Sequence, residues 1–378
     1  MTKILTGFIW DGRSGGIDAY LMSFARVASE EGVRLDFLTN EYSSDFAQEL
    51  ADMGHGLHEV ATLHDRVSQR ATIEALHRSN HYDAAYFNVS TALMYPVAKD
   101  ARRAGIPQVI VHAHAAGNDQ VSQAKRVLYD VLNALCRPLV RTAATMRVAC
   151  SRKAGRWLFG RRAVDSGEVR IVPNPVDVQS CAFDPAVRER MRADLCLEGK
   201  LVVGSVTAMK EIKNPFFLID VFERFLAMHK EAVLVVVGGG ELTDDVEAYA
   251  RETLPKGTFR FLGKRSDVAS LLQAFDAFVL PSRKEGLSIA TLEAQAAGLP
   301  SVVSEGVPEE AVVVPCLARR LRVVAGAQMW ADTLTALQEY VAKDGRFSRA
   351  WDVEAAGYSL ESPREILHMV QSSICELN

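Results

Sequence analysis

Short apolar runs rich in β-branched residues alternate with stretches of helical period along almost the whole chain. The runs form two series, at residues 4–10, 35–38, 84–87, 109–112 and 148–150, and then at 201–206, 234–237, 260–262, 277–280 and 302–304. Strands that alternate with helices build parallel sheets whose faces are covered by those helices. The pattern therefore predicts an α/β protein with two doubly wound parallel sheets.

The most turn-rich segment of the chain separates the two series. It reads Asn174-Pro175-Val176-Asp177, and Pro185 follows it. A chain of 378 residues is long enough to bury two cores. We therefore predict a first domain at residues 1–175 and a second at residues 176–359. The last stretch, at residues 360–378, opens with Ser362-Pro363 and has the apolar spacing of an amphipathic helix.

Three general features of the sequence argue against a nucleic-acid-binding, a disulfide-linked and a secreted or membrane-spanning protein. They are the overall charge, the cysteines and the amino terminus. The net charge of −4 gives no global attraction to nucleic acid, so no nucleic-acid partner is expected. The six cysteines include no C-x-x-C pair, and we expect reduced packing residues. The apolar run at residues 4–10 is short and is interrupted by Asp11, so we expect no signal peptide. No apolar run approaches the roughly 20 residues of a membrane-spanning helix. We therefore expect a cytoplasmic protein.

Residues 281–300 carry the richest motif, directly after a predicted strand. Ser288 is expected to cap a helix that runs to Ala297 and ends at Gly298. The main-chain amides of residues 286–289 would then lie at the positive end of the helix dipole, beside a glycine that permits close approach. This arrangement predicts a seat for a pyrophosphate.

Two glutamates flank that seat, Glu285 in the loop and Glu293 in the second turn of the helix. Carboxylates repel phosphate, so the expected ligands of both side chains are hydroxyl groups. The alternative is an exposed loop glutamate and a helix-surface glutamate that bind nothing, which is the more frequent situation for an isolated pair.

Glu285 and Glu293, separated by seven residues and joined by Gly286-Leu287, resemble the signature of family 4 glycosyltransferases of the GT-B fold. The similarity is closest to the branch associated with capsular and exopolysaccharide synthesis. It extends over most of the chain through motifs that are listed here in order: Gly15-Gly16-Ile17-Asp18-Ala19-Tyr20, His112-Ala113-His114, Ala149-Cys150-Ser151, Trp157-Leu158-Phe159-Gly160, Val172-Pro173-Asn174, Phe261-Leu262-Gly263-Lys264-Arg265 and Gly298-Leu299-Pro300.

The resemblance implies two Rossmann-like domains that face a cleft, with the helix at residues 360–378 returning to the first domain. The first domain would bind a glycan or lipid-linked saccharide acceptor, and the second a nucleotide diphosphate sugar donor. Transfer would retain the anomeric configuration and would need neither a metal nor another cofactor.

The resemblance also assigns roles to individual residues. Glu285 and His114 would hold the transferred sugar, with His112 as the fallback for His114, and Lys213 would neutralise the departing phosphate. The donor-binding set would comprise Glu293 at the ribose together with Gly286, Leu287, Ser288, Gly15, Gly16, Lys210, Gly239, Lys264 and Arg265.

This chain departs from the family pattern in one loop. The family supplies an arginine five or six residues before the phosphate-binding lysine, after a glycine, whereas this chain has Ala208 there, preceded by Thr207. Lys210 could substitute as a point charge, although without the bidentate geometry of arginine. The departure motivates two alternatives to a transferase: a nucleotide-sugar epimerase of the same fold, and a catalytically silent homologue that binds sugar nucleotides.

No Asp-x-Asp motif occurs, and the adjacent pair Asp244-Asp245 is typical of a helix start. The usual carboxylate platform for a divalent ion on a nucleotide sugar is therefore missing from the sequence, and no metal is expected.

Residues 121–170 are strongly basic in an otherwise acidic chain. The basic side chains are Lys125, Arg126, Arg137, Arg141, Arg147, Arg152, Lys153, Arg156, Arg161, Arg162 and Arg170. Apolar residues between 127 and 139 recur at helical spacing, which is compatible with peripheral contact to an anionic membrane. A solvated helix face over an ordinary core is an equally good interpretation.

Overall fold

The computed structural model describes residues 1–12, 16–62, 64–118 and 122–375. The chain divides into two compact units. The first unit comprises Met1–Pro175 and Leu360–Asn378, and the second comprises Val176–Ser359. The segment Asn174-Pro175 lies at the point where the chain passes from the first unit to the second. Gly15, a predicted donor-binding residue, lies outside the described residues.

Each unit contains one parallel sheet. The strands of the first unit are β1 (Lys3–Gly7), β2 (Arg34–Thr39), β3 (Gly56–Glu59), β4 (Ala84–Val89), β5 (Gln108–Ala113), β6 (Met146–Ala149) and β7 (Arg170–Ile171). Those of the second unit are β8 (Leu201–Val206), β9 (Ala232–Val237), β10 (Phe259–Phe261), β11 (Ala277–Leu280), β12 (Ser301–Ser304) and β13 (Ala318–Leu321). Within the described residues the strand orders are β3-β2-β1-β4-β5-β6-β7 and β10-β9-β8-β11-β12-β13. The predicted class, two doubly wound parallel sheets, is confirmed.

Helices connect the strands and cover the sheets. In chain order they are α1 (Gly16–Glu30), α2 (Ser44–Asp52), α3 (Arg66–Asn80), α4 (Tyr95–Ala104), α5 (Gln123–Ala143), α6 (Arg152–Phe159), α7 (Arg161–Asp165), α8 (Pro185–Asp194), α9 (Pro215–Met228), α10 (Thr243–Thr253), α11 (Val268–Ala274), α12 (Ile289–Ala296), α13 (Gly326–Asp344), α14 (Ala350–Ala355) and α15 (Ser362–Cys375). Short 3-10 helices lie at Ala92–Met94, Glu211–Lys213, Glu309–Ala311 and Val323–Ala325.

The carboxyl-terminal helix α15 belongs to the core of the first unit. Its side chains Ile366, Leu367 and Val370 are buried in the same cluster as Leu21 and Phe24 of α1. The predicted return of this helix to the first domain is confirmed, because its apolar stripe is covered only when it packs there.

The sequence pattern missed the edge strands β3 and β13. Their sequences, Gly-Leu-His-Glu and Ala-Arg-Arg-Leu, contain no apolar run. Edge strands are open to solvent on one side and tolerate charged residues. Central strands are buried on both faces, and all six residues of β9 are both apolar and buried.

Candidate active site

The loops that follow the strands of the second sheet lie side by side at its carboxyl edge. Main-chain hydrogen bonds join loops of neighbouring strands: Met209 N–H donates to the Gly239 carbonyl at 3.2 Å, and Gly238 N–H to the Gly263 carbonyl at 2.8 Å. The loops after β8 and β11 are joined in the same way, since Arg283 N–H donates to the Ile212 carbonyl at 2.8 Å. Open parallel sheets bind ligands at this edge.

Glycines make the close approach of these loops possible. Gly238 has a φ of +131°, and a side chain there would collide with the carbonyl oxygen of Thr207. A Cβ on Gly239 would lie 3.6 Å from Cγ of Lys264. The fold therefore places two predicted donor-binding residues, Gly239 and Lys264, beside each other.

Lys213 and Glu285 form an ion pair. Lys213 ends the 3-10 helix after β8, and its Nζ donates to both carboxylate oxygens of Glu285 at 2.7 Å. The side chains are 24% and 11% exposed, respectively. Two of the predicted catalytic residues are thus in direct contact, which nothing in the sequence predicted.

The start of α12 differs from the expected cap. Ser288 precedes the helix with a φ of +78°, and its hydroxyl hydrogen-bonds to the Thr291 hydroxyl at 2.7 Å instead of accepting from a first-turn amide. The prediction of a Ser288 side-chain cap is therefore wrong. Leu287 and Ser288 are buried, while Gly286 is partly exposed, so Leu287 offers a ligand its main chain and not its side chain. Gly298, with a φ of +73°, follows the helix in the left-handed conformation that was expected.

Glu293 is a partly buried carboxyl group and not the helix-surface glutamate of the alternative interpretation. Burial raises the pKa of Glu293 from 4.5 to about 7, and the negative charge of Asp177 adds to this increase. The neighbouring Cys181 thiol has its pKa raised to about 12, first by burial and then by Glu293. The sequence could not show this burial, because Asp177 and Cys181 come from the segment that enters the second unit.

The remaining basic residues of the predicted set differ in their surroundings. Lys210 and Lys264 are exposed. Arg265 is also exposed and forms an ion pair with Asp267 at 2.6 Å, so part of its charge is already neutralised. Ala208, at the position of the missing arginine, is partly exposed beside Gly238.

His114 lies in the first unit, one residue beyond β5, with only 9% of its surface exposed. Its Nε2 lies 2.7 Å from Oδ1 of Asn88. Burial lowers the pKa of His114 to about 3, opposed by the Asn174 side chain. His114 is therefore a neutral imidazole at physiological pH and is suited to hydrogen bonding without a formal charge.

His112 belongs to a buried network of ring side chains in the first unit. Its Nδ1 lies 2.6 Å from the Tyr86 hydroxyl, which lies 2.6 Å from the Tyr20 hydroxyl. The rings of His112 and His114 are 4.0 Å apart between centroids. Full burial also lowers the pKa of His112 well below its ordinary value. The network fixes the position of His112 within the core.

Asp18 of α1 holds the chain that leaves β1. It is buried in α1 and accepts main-chain hydrogen bonds from Trp10, Asp11 and Gly12 at 3.1–3.2 Å. Asp18 therefore fixes the main chain of residues 10–12 after β1. Gly16, the first residue of α1, is exposed. The sequence predicted roles for the glycines of the motif Gly15-Gly16-Ile17-Asp18 and none for its carboxylate.

The outer face of α5 is an exposed apolar stripe. Its members are between 36% and 67% exposed and comprise Val127, Leu128, Tyr129, Val131, Leu132, Leu135 and Leu139. The opposite face is anchored, since buried Asn133 accepts from Ala92 N–H and donates to the Trp157 carbonyl. The apolar residues of this stripe therefore do not cover a core.

Several arginines of the basic segment are engaged within the first unit. Arg137 and Arg147 donate to the main-chain carbonyls of Trp157 and Arg141, respectively, and the Arg141 side chain pairs with Glu168 at 2.9 Å. In the described part of the chain, no helix has both the length and the apolar character needed to cross a bilayer.

Two family models match the chain. The model described as Glycosyltransferase Family 4 matches residues 14–180, and the model described as Glycosyl transferases group 1 matches residues 187–339. The first match covers most of the first unit, and the second lies within the second unit.

Curated relatives and solved structures agree with these matches. EpsF of Bacillus subtilis (strain 168), named as a glycosyltransferase, is 29% identical over 328 residues, or 85% of this chain and 84% of EpsF. The UDP-Gal:alpha-D-GlcNAc-diphosphoundecaprenol alpha-1,3-galactosyltransferase of Escherichia coli is 27% identical over 290 residues, or 74% of this chain and 70% of that enzyme. Anabaena HepE in complex with UDP-glucose shares the fold with a TM-score of 0.78 at 16% identity, covering 99% of this chain and 100% of HepE. Since family models, relatives and fold agree over both units, the chain is a family 4 glycosyltransferase of the GT-B fold.

Proposed function

We propose that the protein transfers a sugar from a nucleotide diphosphate sugar to a glycan or lipid-linked saccharide, with retention of anomeric configuration and without a metal, in capsule or exopolysaccharide synthesis. The first unit binds the acceptor and the second binds the donor. The observation that carries the proposal is the Lys213–Glu285 ion pair between loops at the carboxyl edge of the second sheet. Lys264 lies beside Gly239 in the same unit, and Glu293 lies on α12.

Each group has a chemical task in the proposed reaction. Lys213 and the main-chain amides of residues 286–288 stabilise the negative charge that the departing diphosphate acquires. Glu293 accepts a hydrogen bond from the ribose, and Glu285 accepts one from the transferred sugar. His114 holds the sugar as a neutral hydrogen-bonding group, in keeping with its pKa of about 3.

The absence of an Asp-x-Asp motif supports transfer without a metal. Within the ranges that the structure describes, no group of three or more His, Cys, Asp or Glu side chains is arranged to hold a metal ion. Lys213 and the amides then supply the positive potential at the leaving group.

The names of relatives support the proposed substrates. The Escherichia coli relative acts on a diphosphoundecaprenol-linked sugar, and a Campylobacter jejuni relative that is 40% identical over 86 residues carries a diphospho-undecaprenol acceptor in its name. HepE was solved with UDP-glucose. These names favour a nucleotide sugar donor and a polyprenol-linked acceptor.

The proposal is tested by incubating the protein with nucleotide sugars, with and without polyprenol-diphosphate-linked saccharides, in excess chelator. Free nucleoside diphosphate is expected only when acceptor is present, and the product should keep the anomeric configuration of the donor. Interconversion of the donor sugar without acceptor would indicate the epimerase. Donor binding without any turnover would indicate the catalytically silent homologue. If the chelator stopped the reaction and magnesium or manganese restored it, metal-free transfer would be contradicted.

Replacing Glu293 by glutamine is expected to stabilise the fold and weaken nucleotide binding. A folded-state pKa of about 7 lies above the ordinary 4.5, so the stability that this carboxyl contributes is full below about pH 4.5 and is lost as the pH rises through about 7. Glutamine removes the charge, and we expect a gain of about 1–2 kcal/mol in the free energy of unfolding near pH 8 and little near pH 5.

Urea denaturation of both proteins at the two pH values, combined with titration of a nucleoside diphosphate, checks this prediction. An equal free energy difference at both pH values would show that the carboxyl titrates normally. Unchanged nucleotide affinity would remove Glu293 from the binding site.

The proposal includes peripheral attachment of the protein to the cytoplasmic face of the membrane through residues 121–170. The exposed stripe of α5 supplies apolar contact area, and exposed basic residues of the segment, such as Lys125 and Arg162, supply attraction to anionic lipid. A polyprenol-linked acceptor resides in the same surface.

Replacing Leu128 and Leu135 together by serine is expected to weaken binding to anionic vesicles by about tenfold or more, because both side chains leave the apolar interface. The control is Val67→Ser on α3, which removes an 81% exposed apolar side chain from the same unit. Vesicle co-sedimentation compares the three proteins. A parent protein that does not bind anionic vesicles would favour the solvated-face interpretation.

A further inference from the structure

The ion pair of Lys213 and Glu285 affects how tightly the protein binds a nucleoside diphosphate compared with a nucleotide sugar. An ammonium group has three N–H donors, and Nζ of Lys213 directs two of its contacts to the oxygens of Glu285. A diphosphate that uses Lys213 must therefore share it with a carboxylate. The two anions compete for the same cation and also repel each other.

Glu285 cannot easily withdraw from this competition, because its main chain is held on two sides. Its N–H donates to the carbonyl of Gly306 at 3.1 Å, and Arg283, two residues earlier, donates its N–H to Ile212 of the lysine loop. A side chain on Gly306 would collide with main-chain oxygens of residues 282 and 283, so the loop after β12 packs directly against the glutamate loop. The carboxylate consequently stays within reach of Lys213.

The surroundings of the pair make it costly to leave Glu285 without a donor. Its side chain is only 11% exposed, so water compensates a lost hydrogen bond poorly. A donor with an attached sugar replaces the lysine contact with a hydroxyl hydrogen bond. A bare nucleoside diphosphate draws Lys213 away from Glu285 and offers no hydroxyl group to replace that contact.

We infer that Glu285 is a specificity-determining residue that weakens binding of the bare nucleoside diphosphate by competing with it for Lys213, and so favours the sugar-bearing donor over the released product. The inference rests on the proposed function, since it requires the diphosphate to bind at Lys213. It adds a task to Glu285 beyond contact with the sugar, namely to promote departure of the product.

Isothermal titration calorimetry without acceptor tests the inference. UDP, ADP, GDP and dTDP are each titrated beside their glucose conjugates into the parent, and the best-bound pair is carried forward. Glu285→Gln keeps the size and hydrogen-bonding capacity of the side chain but removes its charge. We expect it to bind the diphosphate about tenfold more tightly, with no such gain for the glucose conjugate.

A matched control removes the same charge from a Lys–Glu pair at the other edge of the sheet. Lys200 Nζ lies 2.6 Å from Glu231, and these residues directly precede β8 and β9. Glu231→Gln should leave both affinities unchanged. The variant Glu285→Asp retains the charge and should therefore show no gain in diphosphate affinity. A gain that is seen only with glutamine would then result from loss of the charge and not from a disturbed loop.

The outcomes separate the inference from the function on which it rests. A parent that binds none of the diphosphates or conjugates would overturn the proposed function and the inference together. A parent that binds them, with a glutamine variant whose diphosphate affinity is unchanged or weaker, would overturn the inference alone. An equal gain for diphosphate and conjugate would also overturn it, because the carboxylate would then not discriminate between them.

Discussion

Lys213→Ala is expected to lower turnover by about 10²-fold or more, because in the proposed reaction Lys213 is the main side-chain cation at the departing diphosphate. The loss should be severe in this chain, since Ala208 occupies the position where the family supplies an arginine. The variant also leaves the Glu285 carboxylate without its 2.7 Å partner, so the loops after β8 and β11 are both disturbed. Steady-state kinetics with a saturating acceptor measure the effect.

Ala208→Arg is the companion variant. Ala208 is partly exposed beside Gly238, and an arginine there should strengthen diphosphate binding and partly rescue Lys213→Ala. The two changes should be non-additive, since in the proposed reaction both cations would act on one phosphate group. Lys200→Ala, at the opposite edge of the sheet, is the control and should not change turnover. If Lys213→Ala turned over normally, or if the effects of the two changes were strictly additive, the cation at the diphosphate would be another residue. Exposed Lys210 and Lys264 would then be tested.

Arg346→Met should lower the free energy of unfolding by about 3 kcal/mol or more. The guanidinium donates to the main-chain carbonyls of Leu272, Gln273, Phe275 and Ala297 at 2.6–3.1 Å. Burial lowers the pKa of Arg346 to about 9. Methionine fills part of the space but removes the side-chain donor of the Leu272 and Ala297 carbonyls, whereas Arg188 still donates to those of Gln273 and Phe275. Hydrogen bonds to a charged group are the stronger kind.

The acceptors of Arg346 lie at the ends of two helices, α11 and α12, and α12 carries Glu293. The variant should therefore also weaken donor binding at temperatures where the fold persists. Chemical denaturation measures the stability change, with Arg349→Met as the control, because Arg349 forms a partly exposed pair with Asp352. Equal stability of Arg346→Met and the parent would show that water replaces the guanidinium.

Local sequence patterns were sufficient to predict the central strands and the loop that carries Glu285. Strands such as β9 are apolar at every position because both faces are covered. Gly298 marks the end of α12 because its left-handed φ of +73° is costly for most other residues. These features depend on residues close together in the chain, and a single sequence records them directly.

Strand pairing, the hydrogen-bond partner of an individual side chain and contacts between distant segments could not be predicted from local patterns. The edge strands β3 and β13 gave no pattern, because pairing with a neighbour and not an apolar run places them in their sheets. Ser288 was expected to cap α12, but its hydroxyl bonds to Thr291 instead. The arginines of the basic segment could not be sorted into engaged and exposed residues until their carbonyl and carboxylate partners were known.

The sequence by itself determined the two parallel sheets and the family, since periodicity, turn residues and motif spacing are local properties. It also nominated the groups that we propose to bind a nucleotide sugar. Only the tertiary structure decided which of those charged groups form ion pairs and which have a shifted pKa. Lys213 and Glu285 are 72 residues apart in the chain, and Glu293 owes its raised pKa to burial and to distant Asp177. Charge, burial and distance act through space, so a carboxylate's partner and its pKa are set by which segments the fold packs against it.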